Sequence, residues 1–543
     1  MTIHLKGGRV VDPEHNWDRI GDLYITDGRI AFSPPQGRPV KETYDLTGKI
    51  VMAGAIDIHS HIAGANVSAA RALLANRRSS LTDDIWVNGA LPTLDETGLL
   101  YARMGFTTVV EPAMAPHSAL QTQAELTLIP NIDRAALAIL GNDDFALRLI
   151  RDKSSGSALA DYVGRTLNAS KAIGVKCINP GGVAAFKENI RSFNLDDVVP
   201  AYGVTSRDIV KALQNAVAAI GTPHPVHLHC NNLGLPGNSQ TALATIAAAE
   251  GQRLHLAHLQ FYTYAPTKKG GLASGAVAVA EAVNANKNIT VDVGQVMFGP
   301  TVTISSDVPR QFAARGTAKP KKWMIADLEG NGYGVVPYEY KDTNKVSALQ
   351  WAIGMELFLL IADPWRVFFT TDHPNGGHFT TYPKIMHLLM DADERARWIE
   401  HLPKAALKTS QLGSIEREYS LNEIAIMTRA APARLYGLRD RGHLGEGAVA
   451  DISVYSPQND ITEMFSRAHL VFKGGDLVVR DGEPQIARYS RTLYVRPPFD
   501  AQIDTKLTSY YEDIFGAPLR TFDVPPSILP YGEVFEEHPC FVS

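Results

Sequence analysis

Eight short apolar runs recur along the middle of the chain and constrain its fold more than any other feature. They are Ala55–His61, Phe106–Pro112, Ala136–Asn142, Gly174–Asn179, Pro225–Cys230, Arg253–Leu259, Ile289–Gln295 and Val367–His373. The segments between them, such as Ser206–Ile220, Ser239–Glu250 and Ala273–Ala285, carry Ala, Leu and Val at helical spacing. Strands that alternate with helices form a parallel sheet, and eight such units predict a closed (β/α)8 barrel. Such a barrel absorbs ~250 residues or more as one unit, so a length of 543 residues does not require three or four domains. Catalytic groups in these barrels sit at the C-terminal ends of the strands.

The two ends of the chain are not barrel material. Leu5–Val11 and Asp22–Ile30 read as strands, with Asp27-Gly28 a strong hairpin signal. A matching pattern returns in Ala448–Tyr455, His469–Gly475 and Leu477–Gly482. The expected organisation is therefore a small composite β domain from residues 1–50 and 442–495, bracketing a barrel over 51–441. A Pro- and aromatic-rich arm, 496–543, follows and reads as a wrap around the body or a subunit contact. Long connections after the first run (65–105, with Arg71, Arg77 and Arg78) and after the seventh (296–345) are expected to lie over the active-site mouth.

Composition excludes several classes. A net charge of −5 argues against a general nucleic-acid binder. Three cysteines, Cys177, Cys230 and Cys540, cannot build a disulfide framework, which favours a reducing, cytoplasmic setting. The N-terminus lacks an apolar signal core, and the run Trp351–Ala362 is too short for a bilayer and contains Glu356. No membrane partner is expected.

The ionisable residues at the proposed strand ends carry the chemistry. The first run ends in His59 and His61, two apart and therefore on one face of a strand. The fourth supplies Lys176, the fifth His227 and His229, the sixth His255 and His258, the eighth Asp372. His229, nearer the mouth than His227, is the better ligand; alternation places His255 opposite His258, as a core histidine. Cys177 and Cys230 turn to the other face and read as packing residues. An H-x-H triplet alone is weak evidence, but together these groups could hold two divalent metals such as zinc. A buried lysine is more readily neutral. A neutral amine can take up carbon dioxide as a carbamate, whose two oxygens bridge two cations.

This set resembles the amidohydrolase superfamily in its binuclear, carbamylated-lysine form. Closer still, Asp57–Arg71 (DIHSHIAGANVSAAR), Val175–Gly182 (VKCINPGG), His227–Asn238 (HLHCNNLGLPGN), His255–Tyr264 (HLAHLQFYTY) and Phe369–Pro383 (FTTDHPNGGHFTTYP) are similar to one family. It holds the A subunit of formylmethanofuran dehydrogenase and the alpha subunit of the bacterial formyltransferase/hydrolase complex. The resemblance covers roughly residues 1–500. It implies His59, His61, Lys176, His229, His258 and Asp372 as metal ligands, with Asp372 also the proton shuttle. It implies two divalent metal ions, zinc in this family, and a Lys176 carbamate formed from CO2. It also implies hydrolysis of N-formylmethanofuran to formate and the free amine, within a hetero-oligomer that includes a formyltransferase subunit. The composition, Ala-rich with heavy use of Arg, leans towards the bacterial hydrolase over the archaeal enzyme that condenses formate with methanofuran. The alternatives are a hydantoinase- or dihydroorotase-like cyclic amidohydrolase and a metal-free scaffold subunit. The side chains of Asn231 and Asn232 are expected to orient the formamide. Arg71, Lys321 and Lys322 are expected to receive an acidic cofactor tail.

Overall fold

The computed structural model describes residues 2–34, 36–74, 91–154, 156–267, 271–305, 307, 316–317, 326–327, 334–530 and 535–541. At its centre are eight parallel strands: β1 (Ala55–Asp57), β2 (Phe106–Met114), β3 (Asp133–Ile139), β4 (Gly174–Ile178), β5 (Val226–His229), β6 (Leu254–Leu256), β7 (Ile289–Asp292) and β8 (Val367–Phe368). Each pairs in parallel with the next in sequence. The sheet curls until Ser60, just past β1, bridges His373, just past β8, and the His61 N–H donates to the His373 carbonyl at 2.8 Å. The strand ends that carry the ionisable groups therefore face one interior.

The outer helices form for local reasons. Ser206–Ala219 begins at Thr205, whose hydroxyl accepts the Asp208 N–H while the Asp208 carboxylate accepts the Thr205 N–H. Its Ile209, Val210, Leu213 and Val217 make one buried stripe. Lys345–Leu360 differs, being buried on every side from Ser347 to Leu359. Its Trp351 packs in a three-ring cluster with Phe298 and Trp398, so the helix is an inner layer. Its buried Glu356 accepts the Ser274 hydroxyl at 2.5 Å and the Gln411 N–H. Among the described residues no helix is long and apolar enough to cross a membrane.

A second sheet interleaves both ends of the chain. Ile50–Ala53 lies between Thr2–Asp12 and Ile452–Tyr455, and the order continues outwards to Arg29–Ala31 on one side and Glu483–Pro484 on the other. Asp27 and Gly28 join two of its strands with φ of 50° and 77°, the left-handed pair that a tight hairpin needs.

One segment departs from the expected boundary. Thr492–Val495 does not join the small sheet; Thr492 and Leu493 pair in parallel with Arg134 and Ala135 of β3. The reason is register. β4 first pairs with β3 at Leu137, which leaves the start of β3 open on that side. Phe535–His538 then pairs with Thr492–Val495, so the arm extends the barrel sheet at its N-terminal end. Arg441, Asp133, Lys473, Asp451 and Glu536 form an ionic cluster at this junction.

At the opposite end, the first and seventh connections meet. Val302, Ile304 and Val335 of the ladder Gly299–Ser305/Gly334–Tyr340 pack on Val67, Ala70, Leu74 and Leu91. This small apolar cluster roofs the C-terminal mouth of the barrel.

Candidate metal centre and active site

The buried Asp57 at the end of β1 accepts the His59 N–H at 2.9 Å and the hydroxyls of Tyr101 and Tyr382 at 2.7 and 2.6 Å. That turn aims both imidazoles inward. His59 Nε2 lies 3.0 Å and His61 Nε2 3.3 Å from Oδ1 of Asp372, so donors from the two ends of the curled sheet converge within 4.8 Å. Lys176 projects into the same space from β4, and its Nζ is buried with no hydrogen-bond partner. His229 and His258 complete the wall of a cavity of about 690 Å³, including its mouth. His229 Nε2 is 2.6 Å from Asp307 Oδ2. Four residues where the chain leaves its strand have positive φ: Asn179 (43°), Asn232 (64°), His258 (33°) and Asp372 (50°). For side chains with a Cβ this costs ~1–3 kcal/mol each. The surrounding hydrogen bonds hold that strain at the site.

The electrostatics match a cation site. Burial pulls Lys176 down to about 8, against the carboxylates of Asp292, Asp372 and Glu111. Burial alone would raise Asp372, but His258, His59 and His61 outweigh it and hold the carboxyl well below its usual range. Burial would likewise lower His61, but Glu111 and Asp372 outweigh it and lift the ring to about 9 in the metal-free chain. Burial drops His258 well below the usual histidine value, so it is a neutral nitrogen donor.

All six expected ligands line the cavity; among the described residues, Asn231, Asn232 and Arg71 are not part of its wall. Asn231 donates to Asn179 Oδ1 at 2.8 Å and accepts the Ser206 hydroxyl at 2.7 Å. Asn232 accepts the Phe193 N–H and donates to Asn194 and Thr241. Both amides tie neighbouring loops together in this way. Arg71 is buried and donates to the carbonyls of Pro92 and Ile62, bracing the first connection. Arg77, Arg78, Lys321 and Lys322 lie outside the described residues. His227 sits beneath the cavity, as expected. His255, in the middle of β6, also faces the barrel interior, because the chain turns left-handed at His258 and strand alternation no longer relates the two. Cys177 and Cys230 are buried, and burial pushes the Cys230 thiol up to about 12, consistent with packing.

Sequence reasoning missed Asp292, Glu111 and Asp307. Asp292 ends β7 and Glu111 lies within the exit half of β2. The strand-end rule that found Asp372 applies to Asp292 as well. Asp307 had no such signal; it reaches the site from the connection beyond Ser305. Leu233, Phe261 and Ile304 with Asn66, Gln350 and Asn375 give the cavity an apolar wall with a few neutral amides.

The amidohydrolase family profile matches residues 42–484. The A subunit of the formyltransferase/hydrolase complex Fhc of Methylorubrum extorquens is 49% identical, over 99% of this chain and 100% of that protein. Protein FwdA of Methanocaldococcus jannaschii is 37% identical over 91% of each. The crystal structure of the FhcABCD complex from M. extorquens with methylofuran contains a chain that superposes with a TM-score of 0.93, 49% identity and full coverage of both chains. The chain belongs to the amidohydrolase family. Within it, this chain groups with the A subunit of Fhc and with FwdA.

Proposed function

We propose that this chain is the hydrolytic subunit of a formyltransferase/hydrolase complex, cleaving an N-formylmethanofuran-type substrate to formate and the free amine. The observation that carries the reading is the full-length match to a subunit whose solved complex holds methylofuran. The site fits a metal pair on its own terms. Asp372 Oδ1 and two imidazole nitrogens converge, and Lys176 Nζ is buried without a partner. His59, His61 and Asp372 would hold one ion, His229 and His258 the other, with Lys176 as a carbamate between them. Two divalent ions there, zinc in the reading proposed, would polarise the formyl oxygen and acidify water.

The chain's residues then have defined tasks. With a value of about 8, Lys176 is roughly a quarter free base near pH 7.5, against about 0.1% for an ordinary lysine, so the amine that adds CO2 is available. Asp372, ionised, accepts a proton from the attacking water as its oxygen bonds to the formyl carbon. It returns that proton to the nitrogen as the C–N bond breaks, because an amide anion is a very poor leaving group. The products are the free amine and formic acid, which ionises to formate and gives its proton to solvent or to the amine. Leu233, Phe261 and Ile304 exclude bulk water around the reacting carbon.

Hetero-oligomer assembly with a formyltransferase subunit is part of the same proposal. The arm after Arg496 offers Ile514, Phe515, Ile528 and Phe541, all exposed. The test is formate release from N-formylmethanofuran, run beside hydantoin and dihydroorotate. Ring opening without formamide cleavage would reassign the chain to the cyclic amidohydrolases. A purified chain with no bound metal would make it a scaffold.

A further inference from the structure

We infer that Asp292 and Glu111 are positioning residues that fix the tautomers of His59 and His61, and that Asp292, by also anchoring the backbone of His258, reaches both halves of the metal site at once. The inference rests on the metal reading above. Hydrogen bookkeeping under the site carries it. Asp292 Oδ1 accepts the His258 N–H at 2.8 Å and the Thr370 hydroxyl at 2.7 Å; Thr370 in turn accepts the Gly294 N–H at 3.0 Å, so its own hydrogen is free to donate. Asp292 Oδ2 lies 3.1 Å from His59 Nδ1 and 3.1 Å from His255 Nε2. An ionised carboxylate only accepts, so both nitrogens carry hydrogen. His255 Nδ1 is then bare and accepts the Thr290 hydroxyl at 2.9 Å. His59 is hydrogen-bearing at Nδ1, which leaves Nε2 as its nitrogen for a metal.

A histidine chain agrees with this assignment. His227 Nε2 is 3.0 Å from His59 Nδ1, and His227 Nδ1 is 3.1 Å from His224 Nε2. The His59 Nδ1 hydrogen is shared between Asp292 and His227 Nε2, and His227 Nδ1 donates to His224 Nε2, burial holding the His227 and His224 rings well below the usual histidine value. Glu111 repeats the device for His61. Its Oε2 accepts the N–H groups of Ile62 and Ala63, and its Oε1 lies 3.1 Å from His61 Nδ1. With each Nδ1 committed to a carboxylate, Nε2 is the nitrogen that both imidazoles turn towards Asp372, and a bound cation would take the place that hydrogen holds there in the metal-free chain.

The two carboxylates differ in reach. Glu111 holds the His61 ring, the backbone of Ile62 and Ala63 just beyond it, and the Ala113 N–H of its own strand. Asp292 holds the His59 ring, the backbone of His258, and Thr370 two residues before Asp372. It therefore joins ligands from the ends of β1, β6 and β8.

The test uses the full-length chain, Zn2+ competition against a chelator, and the visible spectrum of the Co2+-substituted protein. Asp292→Asn places an amide N–H against His59 Nδ1 and forces the hydrogen to Nε2. It should weaken both metal equivalents by ~10–100-fold and alter the Co2+ spectrum, with the melting temperature tracked in parallel. Glu111→Gln should weaken one equivalent and leave the other at wild-type affinity. If Asp292→Asn does not fold, Asp292→Glu decides; it keeps the charge but shifts the carboxylate off His59 Nδ1 and the His258 N–H, and should weaken both equivalents. Asp292→Asn, or Asp292→Glu in its place, with wild-type affinities and spectrum overturns the inference. A wild-type chain that binds no metal instead overturns the proposed function, so the two failures are distinguishable.

Discussion

Replacing Asp372 with asparagine separates the two tasks assigned to it. The amide keeps the shape and an oxygen that can sit 3.0 Å from His59 Nε2 and 3.3 Å from His61 Nε2. It loses the charge and the capacity to accept a proton from water. A general acid–base contribution of ~10²–10⁴-fold corresponds to about 2.7–5.4 kcal/mol of barrier, and kcat for formate release should fall by at least the lower figure. The comparison is made at equal metal content, measured on the same samples, so that metal loss is not read as lost proton transfer. The control is His373→Asn. His373 follows Asp372 in sequence, but its ring packs 4.8 Å from His378 and 4.9 Å from Phe379 and lines no part of the cavity. Its variant should keep kcat near wild type. Should the His373 variant collapse while Asp372→Asn turns over normally, the assignment of the proton shuttle is refuted and must be reversed.

Lys176→Ala should lose bound metal and formate release together, and added short carboxylates should restore part of both; full metal content with normal turnover would falsify the carbamate bridge. Arg441→Met should destabilise the fold by ~1.5–3 kcal/mol in thermal unfolding, because it removes one of the two cations on the buried Asp133 carboxylate, leaving Lys473, and takes the guanidinium from Glu536. The same junction gives a pH dependence. Glu536, although burial opposes it, is held down to about 2 by His538 and Arg441, so its folded value lies below its unfolded one. Its stabilisation is complete above about 4.5 and is lost as the pH falls towards 2, and the Arg441→Met protein should show a shallower acid limb than wild type. Deleting residues 525–543 should weaken co-purification with partner subunits more than it weakens metal binding. Because Phe535–His538 pairs with Thr492–Val495 and the Phe541 N–H donates to Gly221, it should also lower the melting temperature; unchanged assembly would remove the arm from the interface.

What could be read directly from the residues was whatever repeats locally. The alternation of apolar runs with helical spacing set out eight barrel units, since strand and helix periods follow from backbone geometry within a few residues. His59, His61, Lys176, His229, His258 and Asp372 were found because each stands at or near the exit of such a run. Turn chemistry at Asp27-Gly28 was equally local. Tertiary structure decided everything that depends on which distant groups meet. His59 and Asp292 are 233 residues apart, and nothing in the neighbourhood of either names the other. Asn231 and Asn232 follow closely on His229 in sequence, yet their amides are drawn away by Asn179, Ser206 and Asn194. Thr492–Val495 looks like any short edge strand, and only the register of β3 against β4 shows where an unpaired backbone awaits it. The physical reason is common to all three. A strand's period places a side chain on a face, but a hydrogen-bond partner is chosen by the register of neighbouring strands and by the left-handed residues that end them. Those are properties of the assembled sheet.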